Sequence, residues 1–408
     1  MKNKKIKALF IAPDLFVPEN KNGTNKTIFN ILKENEYLSV DFLYPSLSSE
    51  PIELEQEFSN VNLIPVKVKD MDESSYLRKI KSLLRPSPFI KSSNEIIKKL
   101  SSKTSEIVND YEIIQVCSLA VAPVLDAIPK EAQKKTLICA IDCYSFFYEF
   151  KIKNEKRYFK KIIWKWELLK GKVFERRYYK KTAKIFFVTN EDARYARVNF
   201  PSPSIKKGMI YGVDIEKINK ENLMYDDLTE EKNSLIFTGN LSYRPNVDST
   251  DFILDNLMPL LWKIKPEIKV YFVGAGAPER LKNFQDDRVM VTGFVESLVP
   301  YMKKAQIFIS PIFFGAGTKT KVLEAMGMGK LVVGTKDSFT GILCTDGHDC
   351  LVIDPPRDME LWITKIIDVL EGKDVISKLE NNARETIEKF HDWNVNKLNY
   401  VKEYRELL

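Results

Sequence analysis

Lys321 and Glu324 stand three residues apart, directly behind the glycine-punctuated loop Gly315-Ala316-Gly317-Thr318. They lie in the stretch Gln306–Gly341. The apolar and β-branched run Gln306–Ile312 reads as a strand that stops at Phe313-Phe314-Gly315. Gly315 and Gly317 let the backbone turn sharply and come close to a ligand. Thr318 or Thr320 is positioned to cap a following helix. That helix ends near Gly327 and Gly329, where a left-handed C-terminal cap fits, and Leu331–Thr335 is the next strand. Val322, Leu323 and Met326 form one helix face, suited to packing on a sheet. Gly317, Lys321 and Glu324 form another. A helix N-terminus attracts phosphate through its free N–H groups and its dipole. Lys321 adds a cation one turn in, and Glu324 can accept two hydrogen bonds from a ribose diol. The arrangement suits a nucleoside diphosphate with its phosphates at the loop and its ribose along the helix. A Lys–Glu surface pair, worth about 0.2–0.5 kcal/mol, fits the same spacing, and spacing alone does not separate the two.

The elements that must position these groups alternate along the chain. In the first half, strands are expected at Lys7–Ala12, Val40–Tyr44, Val61–Val68, Ile113–Cys117, Thr136–Ile141 and Lys184–Thr189, with helices such as Thr27–Glu34 and Asn94–Val108 between them. In the second half, Leu235–Thr238, Val270–Val273, Val289–Thr292, the stretch Gln306–Gly341 and Cys350–Ile353 repeat the pattern. Such alternation predicts parallel sheets covered on both faces, with ligands beyond the carboxyl ends of the strands. The length of 408 residues exceeds one ordinary core and suits two domains. The polar run Glu216–Asn233 reads as a linker.

Composition is that of a globular protein, 44% hydrophobic and 29% charged. The apolar stretch Ala8–Ala12 is too short for a signal-peptide core and is expected to be the first strand of a cytoplasmic chain without a membrane span. Five cysteines contain no C-x-x-C pair, so reduced core thiols are expected and a zinc site is not. His348 and His391 are expected to be structural or exposed. Gly274-Ala275-Gly276 lacks the third glycine and acidic partner of a dinucleotide site.

The run Gly315–Met326, GAGTKTKVLEAM, resembles the nucleotide-sugar loop and helix of GT-B glycosyltransferases. The likeness is to the retaining family 4 (glycosyltransferase group 1), and within it to an exopolysaccharide-type branch with G-A-G-x-x-x-K-x-L-E-A-M. The resemblance implies an α/β fold of two Rossmann-like domains facing across a cleft. Residues 1–212 would be the acceptor-side domain, 213–388 the nucleotide-sugar domain, and 389–408 a helix crossing back to the first. Tyr211-Gly212-Val213-Asp214, similar to the family's N-G-V-D, marks the crossing.

The same resemblance implies a retaining, hexosyltransferase-like enzyme. It would move a sugar from a nucleotide diphosphate sugar to an acceptor hydroxyl, in cell-surface glycan or polysaccharide synthesis. Glu324 would hold the ribose. Lys321, Lys319 and the Gly315–Thr318 backbone would hold the diphosphate, above the turn at Gly239 and near Arg244. Phe294 and Val295 would read the base through their backbone. Asp142 and Ser145 resemble acceptor-side or sugar-side residues, and Asp142, with Lys321, is the catalytic candidate; an Asp capping the next segment fits equally. Gly23 remains from the family's glycine-rich first loop, where a helix-capping turn also fits. Thr189-Asn190-Glu191-Asp192 resembles the family's S-x-x-D-A, and capping explains it adequately. Ala316 stands where many members carry Glu, and the Arg/Lys pair after Gly239 is thinned to Arg244. These departures motivate the alternative of a non-catalytic GT-B partner subunit. No cofactor or metal is expected, because cations and amides can meet the charge that develops on the leaving diphosphate.

Residues 151–181 carry 13 Lys/Arg against three acids, a local +10 where the whole chain has +7. Tyr158, Phe159, Ile162, Ile163, Trp164, Trp166, Leu168 and Leu169 are interleaved with them. The pattern fits an interfacial helix on an anionic membrane, and equally a solvated helix whose aromatics pack inward. Nucleic acid is not the expected partner, since no nucleic-acid fold accompanies the patch.

Overall fold

A computed structural model describes residues 4–17, 23–48, 50, 52–69, 94–202, 204–205, 211–314 and 317–408. The chain divides into two compact units, Met1–Met209 with Lys397–Leu408, and Ile210–Asn396.

The first unit holds a six-stranded parallel sheet of β1 (Ile6–Ile11), β2 (Leu38–Ser46), β3 (Val61–Lys67), β4 (Ile113–Val116), β5 (Thr136–Ile141) and β6 (Lys184–Phe187), in the order β3-β2-β1-β4-β5-β6. Strands β4 and β6 are buried at every position. That is why they read as largely apolar runs, with Gln115 and Lys184 as the polar members, rather than as alternating ones. Helices α1 (Gly23–Leu32), α2 (Asn94–Ile107), α3 (Tyr144–Asn154), α4 (Tyr158–Tyr179) and α5 (Asn190–Asn199) connect them. Thr189 caps α5, accepting the Asp192 amide at 3.0 Å.

The second unit repeats the plan with β7 (Ser234–Thr238), β8 (Lys269–Val273), β9 (Val289–Val291), β10 (Ile307–Ser310), β11 (Val332–Thr335) and β12 (Leu351–Ile353), all parallel, in the order β12-β11-β10-β7-β8-β9. Its helices include α6 (Ile215–Leu223), α7 (Arg244–Phe252), α8 (Thr320–Gly327) and α9 (Lys373–Phe390). The run expected to be a linker from Glu216 is therefore helical in its first part. Asp214 accepts the Lys217 amide at 2.9 Å and starts α6, and Ile218 packs beside Gly327 of α8.

Helix α10 (Trp393–Arg405) ends the chain. Its buried Tyr400 and Tyr404 pack edge-on against Phe186 and Phe10 in the first unit's core. Lys184 at the foot of β6 pairs with Glu403 and Glu406 at 2.7 and 2.8 Å. Trp393 packs on Tyr211 in the second unit. Gly212 is required there because a Cβ would lie 2.9 Å from the His391 carbonyl. No helix among the described residues is long and apolar enough to cross a membrane.

Candidate active site

Strand order in the second sheet reverses between β7 and β10, and in open parallel sheets that switch point is where the crevice opens beyond the strand ends. A pocket of about 270 Å³ lies there. Gly239 and Asn240 after β7 line it, with Tyr243, Pro245 and Asn246 at the start of α7. Opposite stand Ile312 and Phe314 after β10, then Thr318, Lys319, Thr320 and Lys321 at the start of α8.

The floor is close-packed backbone. Gly239 (φ 138°) and Gly274 (φ 139°) hold conformations that side chains disfavour. A Cβ on Gly274 would lie 2.0 Å from the Gly239 carbonyl. The Gly239 amide donates to Val273 O at 3.0 Å and the Gly274 amide to Gly293 O at 3.1 Å. The glycines ending β7, β8 and β9 thus join into one row, and the 274–276 pair is structural.

Helix α8 packs Val322, Leu323 and Met326, all fully buried, against the unit's core. It ends in a Schellman motif: Gly329 (φ 73°) donates to Met326 O at 2.9 Å, and Lys330 donates to Ala325 O at 2.9 Å. Gly327 instead lies under Ile218 and Ile387. At the other end, the expected threonine cap does not form. Lys319 is the capping residue, without a side-chain cap bond, and the Thr318 hydroxyl is buried without a hydrogen-bond partner. The Lys319 carbonyl takes the Val322 and Leu323 amides, so the turn closes on backbone and the helix start remains on the pocket wall.

Lys321 is held rather than waving. Its ammonium donates to Thr238 O at 3.0 Å and to Asn246 Oδ1 at 2.7 Å, and lies 3.9 Å from the centre of the Phe237 ring. Asn246 is fixed in turn by donating to Asn240 O at 2.7 Å. Burial, then the neighbouring Lys319 charge, holds the Lys321 ammonium well below its usual range. Lys319 donates to Gly317 O at 2.6 Å, bracing the loop at Gly317 (φ 77°). Two lysines and a helix N-terminus therefore share one wall. That concentration of positive potential is suited to an anion.

The other expected donor residues are placed as follows. Glu324 is partly buried one turn along α8 from Lys321. Phe294 is exposed and Val295 partly buried in the loop after β9, at the same carboxyl edge of the sheet. Arg244 turns away to pair with Asp248 at 2.6 Å, its side chain 75% exposed, and does not line the pocket. Gly315 and Ala316 lie outside the described residues.

In the first unit, Gly23 begins α1. Asp142 follows β5 at the strand's carboxyl end and is partly buried. Ser145 is fully buried, so the structure does not present it to an acceptor. Its hydroxyl donates to Glu175, whose carboxylate also takes the Tyr144 amide at 2.7 Å, the Ser145 amide at 3.1 Å and the Tyr179 hydroxyl at 2.9 Å. Asp192 takes the Cys143 amide at 2.8 Å. Two buried carboxylates from other helices therefore cap α3 in place of a local residue. Burial raises both carboxyls above their usual range in spite of these bonds.

Cys344, Asp349 and Cys350 place their ligand atoms within 4.8 Å of one another. The Asp349 carboxylate is already engaged, by the Thr345 amide at 2.7 Å and the Thr386 hydroxyl at 2.8 Å. All five cysteines are free thiols.

Residues 232–372, which contain the whole pocket, match the family described as glycosyl transferases group 1. A relative described as an uncharacterized glycosyltransferase of Methanocaldococcus jannaschii is 24% identical over 267 residues. The alignment spans 63% of this chain and 64% of that relative, just under two thirds of its length. A sucrose-phosphate synthase from Thermosynechococcus elongatus superposes with a TM-score of 0.69 at 12% identity, covering 99% of both chains. Anabaena HepE in complex with UDP-glucose superposes with a TM-score of 0.63 at 14% identity, over 99% of this chain and 100% of that one. The fold, an α/β one with two parallel six-stranded sheets, is shared with these solved structures, and residues 232–372 match a glycosyl transferases group 1 domain.

Proposed function

We propose that the chain is a retaining glycosyltransferase that takes a sugar from a nucleoside diphosphate sugar and places it on an acceptor hydroxyl in cell-surface glycan synthesis. The observation that carries the donor side is the pocket at the β7/β10 switch point, walled by Lys319, Lys321 and the start of α8. A diphosphate leaving group gathers negative charge as the sugar–oxygen bond breaks, and preorganised cations and amides stabilise that charge. The Lys321 ammonium carries three N–H groups, two of them bonded to Thr238 and Asn246, and in this reading a phosphate oxygen takes the third. Glu324 holds the ribose, the loop at Phe294 and Val295 reads the base, and Asp142 serves the acceptor side. Retention and the glycan role are supported by the likeness of GAGTKTKVLEAM to the exopolysaccharide-type branch. HepE, a fold neighbour, is described in complex with UDP-glucose, which makes UDP sugars the first donors to try. Because Lys319 and Lys321 supply the positive charge, we also propose that turnover needs no divalent cation.

The test is incubation of the purified chain with a panel of UDP, GDP, ADP and dTDP sugars, with and without chelator. Expected is release of one nucleoside diphosphate, undiminished by chelator, with the donor's anomeric configuration kept in the product. Tight diphosphate binding without turnover on any donor would instead favour the non-catalytic partner subunit.

A further inference from the structure

The basic aromatic run of the first unit resolves into two faces of helix α4. One packs inward: Phe174, Tyr178 and Tyr179 are buried, with the paired Glu167 and Lys170. Nearer the start, Trp164 stacks on Tyr148 of α3 at 6.1 Å, and Lys151 sits 4.3 Å from the ring centres of both Trp164 and Phe147. The other face is apolar and open. Phe159, Ile162, Ile163, Trp166, Leu169 and Val173 are 81, 50, 38, 50, 55 and 61% exposed. They recur at intervals of three and four, so they form one continuous stripe along roughly four turns. A monomeric soluble domain rarely leaves such a stripe open without a use for it.

The charges around the stripe say what covers it. Lys160 and Lys165 stand exposed between its residues, and Arg176 is exposed one turn beyond Val173. The acids within α4, Glu167 and Glu175, are both fully buried on the opposite face. The open face is therefore apolar along its middle, cationic at its margins, and without acid. Nucleic acid would meet the cations but not Ile162, Leu169 and Val173. A second copy of the helix would bring like charge against like. An anionic bilayer satisfies both parts, with Phe159 and Trp166 at headgroup depth and the cations at the lipid phosphates.

We propose that this face of α4 docks the chain on anionic membrane surfaces. The docking does not depend on the donor pocket. That the acceptor is then lipid-linked rests on the glycosyltransferase reading above.

The test is co-sedimentation of the full chain with phosphatidylglycerol-containing vesicles and with pure phosphatidylcholine vesicles, at low and high salt. The account expects binding to the anionic vesicles, weakened by salt, and much weaker binding to the neutral ones. Each surface cation is worth about fivefold in partitioning, so K165Q with R176Q should cost about 30-fold. F159S with W166S, at exposed positions, should abolish binding while leaving the melting temperature and diphosphate affinity unchanged. Equal binding to both vesicle types would overturn the proposal. So would no binding at low salt, or a lipid-free dimer that the F159S/W166S pair dissociates.

Discussion

Replacing Lys321 by methionine removes one charge from the pocket wall at nearly constant side-chain volume. Two of the ammonium's donors are spent on Thr238 O and Asn246 Oδ1, and the proposed phosphate contact is the third. Loss of one hydrogen bond to a charged group costs about 1.5–3 kcal/mol, which is about 10- to 150-fold in nucleoside diphosphate affinity. Nucleosides carry no phosphate and should bind the variant as they bind the parent. A second signature comes from the proton. Burial disfavours the charged form of Lys321 in the empty pocket, and an arriving diphosphate favours it. Binding should therefore take up a proton, and affinity should fall as pH rises through the lowered Lys321 value. The acceptors left behind, Thr238 O and Asn246 Oδ1, cost the fold about 1–3 kcal/mol, partly offset because methionine has no charge to desolvate. Calorimetric titration of UDP and of uridine, each in two buffers of different ionisation enthalpy, reads all of this. Equal weakening for nucleoside and diphosphate would place the defect in folding. Absence of proton uptake in the parent would refute the coupling of Lys321 to phosphate.

Glu324→Ala should weaken ribonucleoside diphosphates about 10- to 150-fold and erase discrimination against the 2′-deoxy form; discrimination that survives in calorimetry would return Glu324 to the role of a surface-pair residue. His391 is buried, its Nε2 accepting from the Leu343 amide at 2.9 Å and its Nδ1 bonded to the Tyr211 carbonyl at 2.8 Å, and burial lowers its pKa from 6.5. The unfolded chain then takes up a proton that the native state refuses, so stability should be lost as pH falls from about 6.5 toward the lowered value. Melting curves across that window should show a slope that His391→Gln flattens. Glu175→Ala orphans the buried Tyr144 and Ser145 amides and should cost about 2–6 kcal/mol, read as a fall in denaturation midpoint; an unchanged midpoint would mean that the α3 cap contributes nothing.

The sheets were legible because their strands are covered on both faces. Runs such as Leu235–Phe237 and Ile307–Ile309 are apolar without interruption, and each ends at a polar residue. Helix α8, which carries Lys321, was legible too, since a helix opening behind glycines is a local pattern. What stayed hidden was long-range. Asn246 orients Lys321 across 75 residues, and Glu175 caps α3 across 30, and neither pairing leaves a mark in local spacing. Ser145 was misread for that reason: a serine behind an aspartate at a strand end looks available until the helix bearing Glu175 closes over it. Helix α6 was missed because its charged residues conceal Ile215 and Ile218, which pack inward.

A crystal structure of the chain soaked with a nucleoside diphosphate tests the central claim most directly. The account predicts phosphate oxygens at hydrogen-bond distance, about 3 Å, from Lys321 Nζ and the opening amides of α8, with the ribose hydroxyls on Glu324. A diphosphate bound away from Lys321, or a pocket that stays empty while the ligand binds elsewhere on the chain, would contradict it.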